Sequence, residues 1–191
     1  MTGFSVLDAR RIKIKGSSIM LERHIFLIGT AGSGKSSLGR RVAAKLQLPF
    51  IDTDQRIAEL TGMNLPELYE REGGEAYRTA ETNLLMMLID ATPSIISTGG
   101  ECAAIPVNRE IMRNHGYIIL IDRPPEDITQ DIRLETRPQL LEKGAHEIYA
   151  FYAEHKEDYR TLADVVLDNV YGYQNAVQTL EKMITSRFNL N

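Results

Sequence analysis

One lysine set among glycines and serines is the most chemically loaded feature of the chain. Gly29, Thr30, Ala31, Gly32, Ser33, Gly34, Lys35 and Ser36 spell G-x-x-x-x-G-K-S. In that pattern glycines let the backbone turn tightly with its N–H groups directed inward, and a following helix adds unpaired N–H groups and the positive end of its dipole. Such a cradle suits phosphate. Lys35 is then placed to reach the outer phosphates of a nucleoside triphosphate, and the Ser36 hydroxyl to ligate magnesium. A dinucleotide fingerprint starting at Gly32 would need glycine at position 37, where the chain has Ser37. Further along, "FIDTDQ" carries Asp52 and Asp54. Read with strand period, the two carboxylates share one side and face the loop. One would hold magnesium through water, and the other would orient or deprotonate an attacking hydroxyl. Aspartate also caps helices, and Asp54 before "QRIAEL" is a candidate for that role too.

The motif has meaning only between a strand and a helix. "HIFLI" (24–28) precedes it, and Leu38, Val42 and Leu46 recur every fourth residue after it, which predicts an amphipathic helix over 35–47. Further short apolar runs are "PFID" (49–52), "SIIS" (94–97), "YIILI" (117–121) and "DVVLD" (164–168). Five strands separated by helical stretches predict an α/β fold, a parallel sheet flanked by helices. A helix over 73–89, with methionines in its core face, and a closing helix marked by Val177, Leu180 and Ile184 complete the pattern.

Composition narrows the function. The chain has 191 residues, 43% of them hydrophobic and 25% charged, with a net charge of -4. That length suits one domain, and the acidic balance disfavours nucleic acid as a partner. No apolar run approaches the roughly 20 residues of a membrane span. Cys102 is the sole cysteine, so no intrachain disulfide forms and the cytoplasm is the expected compartment. His24, His115 and His146 lack metal-ligand spacing. Residues 1–23, with "RRIKIK", read as an extension without a catalytic role, and 24–191 as a single domain. The N-K-x-D and D-x-x-G pair of a signalling GTPase is missing, which leaves a small-molecule kinase as the better use of the loop.

Taken in order, "GTAGSGKSS", "FIDTDQ", "EREGGEAYRTAE", "STGGE", "IDRP" and "RPQLL" resemble shikimate kinase from residue 24 to about 170. The resemblance implies a P-loop kinase fold of the nucleoside-monophosphate-kinase type, with a lid around 123–145. It implies transfer of the ATP γ-phosphate to the 3-hydroxyl of shikimate, with ATP and Mg2+ as cofactors, by a protein expected to be a monomer. Gly32, Ser33, Gly34, Lys35, Ser36 and Ser37 would bind the phosphates, Lys35 also acting in catalysis. Ser36 would hold the metal directly and Asp52 through water. Asp54 matches the substrate-binding aspartate and candidate base. Arg78 matches an arginine gripping the substrate carboxylate, Gly99 and Gly100 would let the ring approach the backbone, and Arg137 matches the lid arginine that contacts ATP, with Arg133 nearby.

Three positions depart from the family pattern. Glu101 follows Gly99 and Gly100 where the family has a third glycine. Gln139 interrupts the lid motif. His155 stands four residues before Tyr159, where the family has a second carboxylate-binding arginine, with Lys156 next to it. Two alternatives therefore stand beside shikimate phosphorylation: a kinase of the same fold acting on another small polyol or hydroxy acid, and a nucleotide-binding protein with little turnover.

Overall fold

The computed structural model describes residues 13–15, 18–131, 144 and 146–187. Its framework is a five-stranded, all-parallel sheet. Strands β3 (His24–Ile28), β4 (Phe50–Asp52), β5 (Ile95–Ser97), β6 (Gly116–Asp122) and β7 (Val165–Asp168) lie in the order β4-β5-β3-β6-β7. Ile25 is opposite Ile95 on one side and Tyr117 on the other, and Ile119 is opposite Val165. The phosphate loop thus leaves the central strand, where both neighbouring strands hold it.

Alternation along these strands builds a core on each face. Ile25, Leu27, Ile119 and Ile121 pack with Leu38 and Val42 of α1 (Lys35–Leu46). Val177 and Leu180 of α7 (Tyr173–Lys182), and Ile184 after it, close that face. Phe26, Ile28, Ile118 and Leu120 face the other way. They meet Ile57 of α2 (Thr53–Thr61), Leu84 and Leu85 of α3 (Leu65–Leu88), Met112 of α4 (Pro106–His115) and Tyr159 of α6 (His146–Leu162). Period 2 in a strand buried on both faces explains why these runs are apolar throughout.

Two details differ from the sequence reading. The helix expected over 73–89 is the second segment of a longer one, Leu65–Leu88, broken at Gly73, where φ is 82°, and its Met86 and Met87 are exposed rather than packed in the core. The aspartate that caps α2 is Asp52, whose carboxylate accepts from the Gln55 N–H at 3.3 Å. The strand ends there. Asp54 therefore lies in the first turn of α2, and strand alternation is not what relates the two carboxylates. Near the N-terminus, β1 (Lys13–Lys15) and β2 (Ser18–Met20) pair antiparallel with each other as a separate two-stranded sheet. The short helix α5 (Pro125–Asp131) follows β6.

His24, at the start of β3, is buried. Its Nδ1 accepts from the Ser94 N–H at 3.1 Å, so Nε2 carries the proton and donates to Leu88 O at 2.8 Å. Burial lowers its pKa. This histidine is a structural link between sheet and α3.

Candidate active site

Gly29 through Ser37 wrap the end of β3, with Gly32 and Gly34 at φ 81° and 104°. A side chain at Gly34 would strain the turn into α1. The loop is braced from the segment after β7: Asn169 donates through Nδ2 to Ser33 O at 2.9 Å, and Tyr173 Oη, at the start of α7, donates to Ser37 O at 3.3 Å. Lys35 is 7% exposed, and its Nζ donates to Gly29 O at 2.6 Å and Thr30 O at 2.8 Å. The ammonium is thus held against the loop that it serves. Ser36 Oγ lies 3.1 Å from Ser97 Oγ at the end of β5.

A cavity of about 260 Å³ opens over this loop. Gly32, Gly34, Lys35, Ser36 and Ser37 form one wall, and Asp54, Thr98, Gly100 and Arg123 stand around it. The Lys35 ammonium and Ser36 hydroxyl from α1 and the Asp54 carboxylate from α2 therefore share one space. Asp54 is oriented by Tyr77 Oη, which donates to its Oδ1 at 2.6 Å. Gly100 is needed for shape: a Cβ there would lie 2.8 Å from the Ala31 backbone N. Its carbonyl accepts from Tyr159 Oη at 3.0 Å, which ties α6 to the cavity rim.

The other expected acceptor contacts lie outside that wall. Arg78 projects from α3 and pairs with Glu75 at 2.9 Å and Glu101 at 3.7 Å. Gly99 donates its N–H to Glu81 Oε1 at 2.8 Å. His155 stacks between Phe151 and Tyr159, with ring centroids 4.3 and 5.8 Å away. It borders a second, much smaller cavity of about 10 Å³, together with Thr30, Asp122, Tyr152 and Lys156. Arg133, Arg137 and Gln139 lie outside the described residues.

Two residues absent from the sequence reading belong to the site. Arg123, in "IDRP", points its Nη1 at Gly32 O, 3.3 Å away. Nothing local announces this, because the contact spans 91 positions. Glu81 is wholly buried beneath Asp54. Its Oε1 accepts from Gly99 N–H and, at 3.4 Å, from Thr53 Oγ1, while Oε2 has no conventional partner among the described residues and the Cys102 thiol lies against the carboxylate. Burial, reinforced by Asp54, pushes its pKa up to about 7. Burial also drives the Tyr77 and Cys102 pKa values well upward. A signal for Glu81 did exist: it falls on the apolar stripe of α3 with Tyr77, Leu84, Leu85 and Leu88, where a glutamate is costly unless used.

The oxygen-rich surroundings of Ser36 suit a hard divalent cation. Among the described residues no cluster of three or more His, Cys, Asp or Glu could form a cage.

A phosphate loop leaving the middle of a parallel sheet, with a carboxylate facing it across one cavity, defines a P-loop kinase. The shikimate kinase family model matches residues 31–185. The shikimate kinase of Clostridium beijerinckii is 33% identical over 171 residues, covering 90% of this chain and 100% of the relative. The shikimate kinase from Acinetobacter baumannii, solved in complex with shikimate, superposes with a TM-score of 0.80 at 28% identity, covering 86% of this chain and 94% of that one. The Aquifex aeolicus enzyme follows with a TM-score of 0.73 and 26% identity, over 86% and 97% of the two chains. The chain belongs to the shikimate kinase family, ATP-dependent phosphotransferases that act on an alcohol. Among the described residues no helix is long and apolar enough to cross a membrane.

Proposed function

We propose that this chain phosphorylates the 3-hydroxyl of shikimate with ATP and Mg2+. The observation that carries the proposal is the cavity in which Lys35, Ser36 and the Asp54 carboxylate converge. The bound shikimate of the Acinetobacter baumannii relative supports the choice of acceptor. The nucleotide would supply the transferable phosphoryl group, and Ser36, with Asp52 acting through water, would hold a magnesium ion whose charge would offset that of the phosphates.

The remaining work falls to the protein. Main-chain N–H groups from Gly32 to Ser37 hold the phosphate tail, and Lys35 exchanges its carbonyl partners for phosphate oxygens, stabilising charge as it moves to the leaving group. Asp54, fixed by Tyr77, accepts a hydrogen bond from the attacking hydroxyl and aims it; little base strength is needed for a loose transition state. Arg78 binds the acceptor carboxylate through its planar fork after release from Glu101. Gly99, Gly100 and His155 complete the acceptor side, and Arg137 acts from the lid.

An ATP-coupled assay over shikimate, quinate, gluconate and nucleoside monophosphates tests the proposal. Turnover on shikimate at least about tenfold above the other acceptors, in kcat/KM, is the expected result. Preference for gluconate or quinate would favour a different acceptor on the same fold, a reading motivated by Glu101 on Arg78. ATP binding without turnover on any acceptor would overturn the kinase reading.

A further inference from the structure

Among the described residues, the cavity wall carries a second cation besides Lys35, namely Arg123. It follows β6 directly, and its backbone is pinned on both sides. The Asp122 carbonyl accepts from the Asn169 N–H at 2.7 Å, and the same asparagine grips Ser33 O. The Asp122 carboxylate accepts from Tyr152 Oη at 2.9 Å and Arg160 Nη2 at 2.5 Å. On the other side Pro124 and Pro125 restrict φ, and the Pro124 carbonyl receives the N–H groups of Asp127 and Ile128 to open α5. Residue 123 is therefore fixed relative to the phosphate loop through a bridge that touches the loop itself.

Its side chain is poised differently. The 3.3 Å bond to Gly32 O is long for N–H···O, and its acceptor is a neutral carbonyl at the apex of the anion cradle. Phosphate oxygens entering the cavity would offer the same guanidinium shorter, charge-assisted bonds, and its planar fork engages two oxygens at once. Lys35 brings a single ammonium to a tail carrying several negative charges.

We propose that Arg123 is a phosphate-binding residue of this chain, its guanidinium turning from the loop backbone to the polyphosphate end of the nucleotide. The proposal rests on the nucleotide reading of the cavity. A fixed backbone and a guanidinium that already lines the cavity within reach of the loop together make it a ready-placed clamp.

Calorimetric titration of the full chain with ATP, ADP and AMP, each with Mg2+, distinguishes this from a bracing role. Arg123→Ala should weaken ATP by about 10- to 100-fold, ADP by less, and AMP by less than about twofold, since charge-assisted bonds at the outer phosphates are lost. Arg123→Lys should recover only part of the ATP affinity, because an ammonium lacks the fork. The melting temperature of the nucleotide-free variants should stay close to that of the parent. Equal weakening of all three nucleotides, or ATP affinity within about twofold of the parent in Arg123→Ala, overturns the proposal. A parent chain that binds ATP while Arg123→Ala matches it sinks this inference alone, whereas a parent chain that fails to bind ATP sinks the nucleotide reading and this inference with it.

Discussion

The two sides of the cavity are built by different means. On the proposed phosphate side the groups are main-chain amides and residues next to them in sequence, held by a strand before and a helix after. On the acceptor side the groups come from α2, α3, α6 and the turn after β5, and in this structure their charges are already engaged: Arg78 with Glu75 and Glu101, Asp54 with Tyr77, His155 within a ring stack. The contrast separates a locally built half from one assembled at long range. Phosphate is the same in every kinase of this architecture, so its cradle is fixed by backbone geometry. Acceptor recognition as proposed would depend on long-range side-chain pairing, in which Glu101 already occupies Arg78.

Breaking the phosphate side should have the largest effect. Lys35→Ala should lower kcat by at least about 10³-fold, since it removes the cation nearest the migrating charge. A coupled assay showing near-parent turnover would remove Lys35 from the chemistry. Asp54→Asn comes next: a fall of about 10²-fold or more in kcat, with ATP affinity preserved in calorimetry, separates hydroxyl orientation from nucleotide binding. A loss confined to ATP affinity would move Asp54 to the phosphate side of the comparison.

The same contrast explains what could be read from the residues alone. The strands, α1 and the phosphate loop were legible because period and motif are local: Leu38 and Val42 fall on the buried face that their spacing predicts. Asp52 and Asp54 were legible as chemistry but not as geometry, since a cap at Asp52 ends β4 two residues before Asp54, where alternation would need the strand to continue. Arg123 was not legible, because its partner lies 91 positions away. Gly100 reads as room for a ring, yet the nearest obstruction to a side chain there is Ala31 of the phosphate loop. Distant pairings of this kind are set by how β5 and β6 flank β3, and no local pattern reports them.

Beneath the acceptor side, Glu81 offers a pH-dependent test. Its pKa is raised from 4.5 to about 7 by burial, so between those values the folded state keeps a proton that the unfolded chain gives up. Stability from this group is therefore present at pH 4.5 and declines as pH rises through about 7, by on the order of 3 kcal/mol in full. Glu81→Gln mimics the protonated carboxyl and should flatten that decline in denaturant melts between about pH 5 and 8. His24 works with the opposite sign. Its depressed pKa makes the unfolded chain the better proton binder below 6.5, so its contribution falls as pH drops. A slope unchanged by Glu81→Gln would assign the pH dependence to other groups and remove Glu81 as the buried proton holder under Asp54.

The smallest expected effect is the one that sharpens the comparison most. Two like charges about 6 Å apart at an effective dielectric of about 20 repel by roughly 3 kcal/mol, but Glu101 is 30% exposed and already paired with Arg78, which discounts that figure. Replacing Glu101 by glycine frees Arg78 for a carboxylate and removes the competing anion. Adding His155→Arg places a permanent charge on α6, at the edge of the small cavity that also reaches Thr30. The double substitution should lower the KM for shikimate by about tenfold with kcat changed less than about threefold. Glu101→Gly alone should account for most of the change, because Arg78 is its direct partner while His155 is wedged between two rings. If KM moves only when His155 is changed, then α6 sets acceptor affinity and the Arg78–Glu101 pair is a surface contact. If neither change moves KM, the acceptor carboxylate is held by other residues, and the acceptor side is more independent of the phosphate cradle than the shared cavity implies.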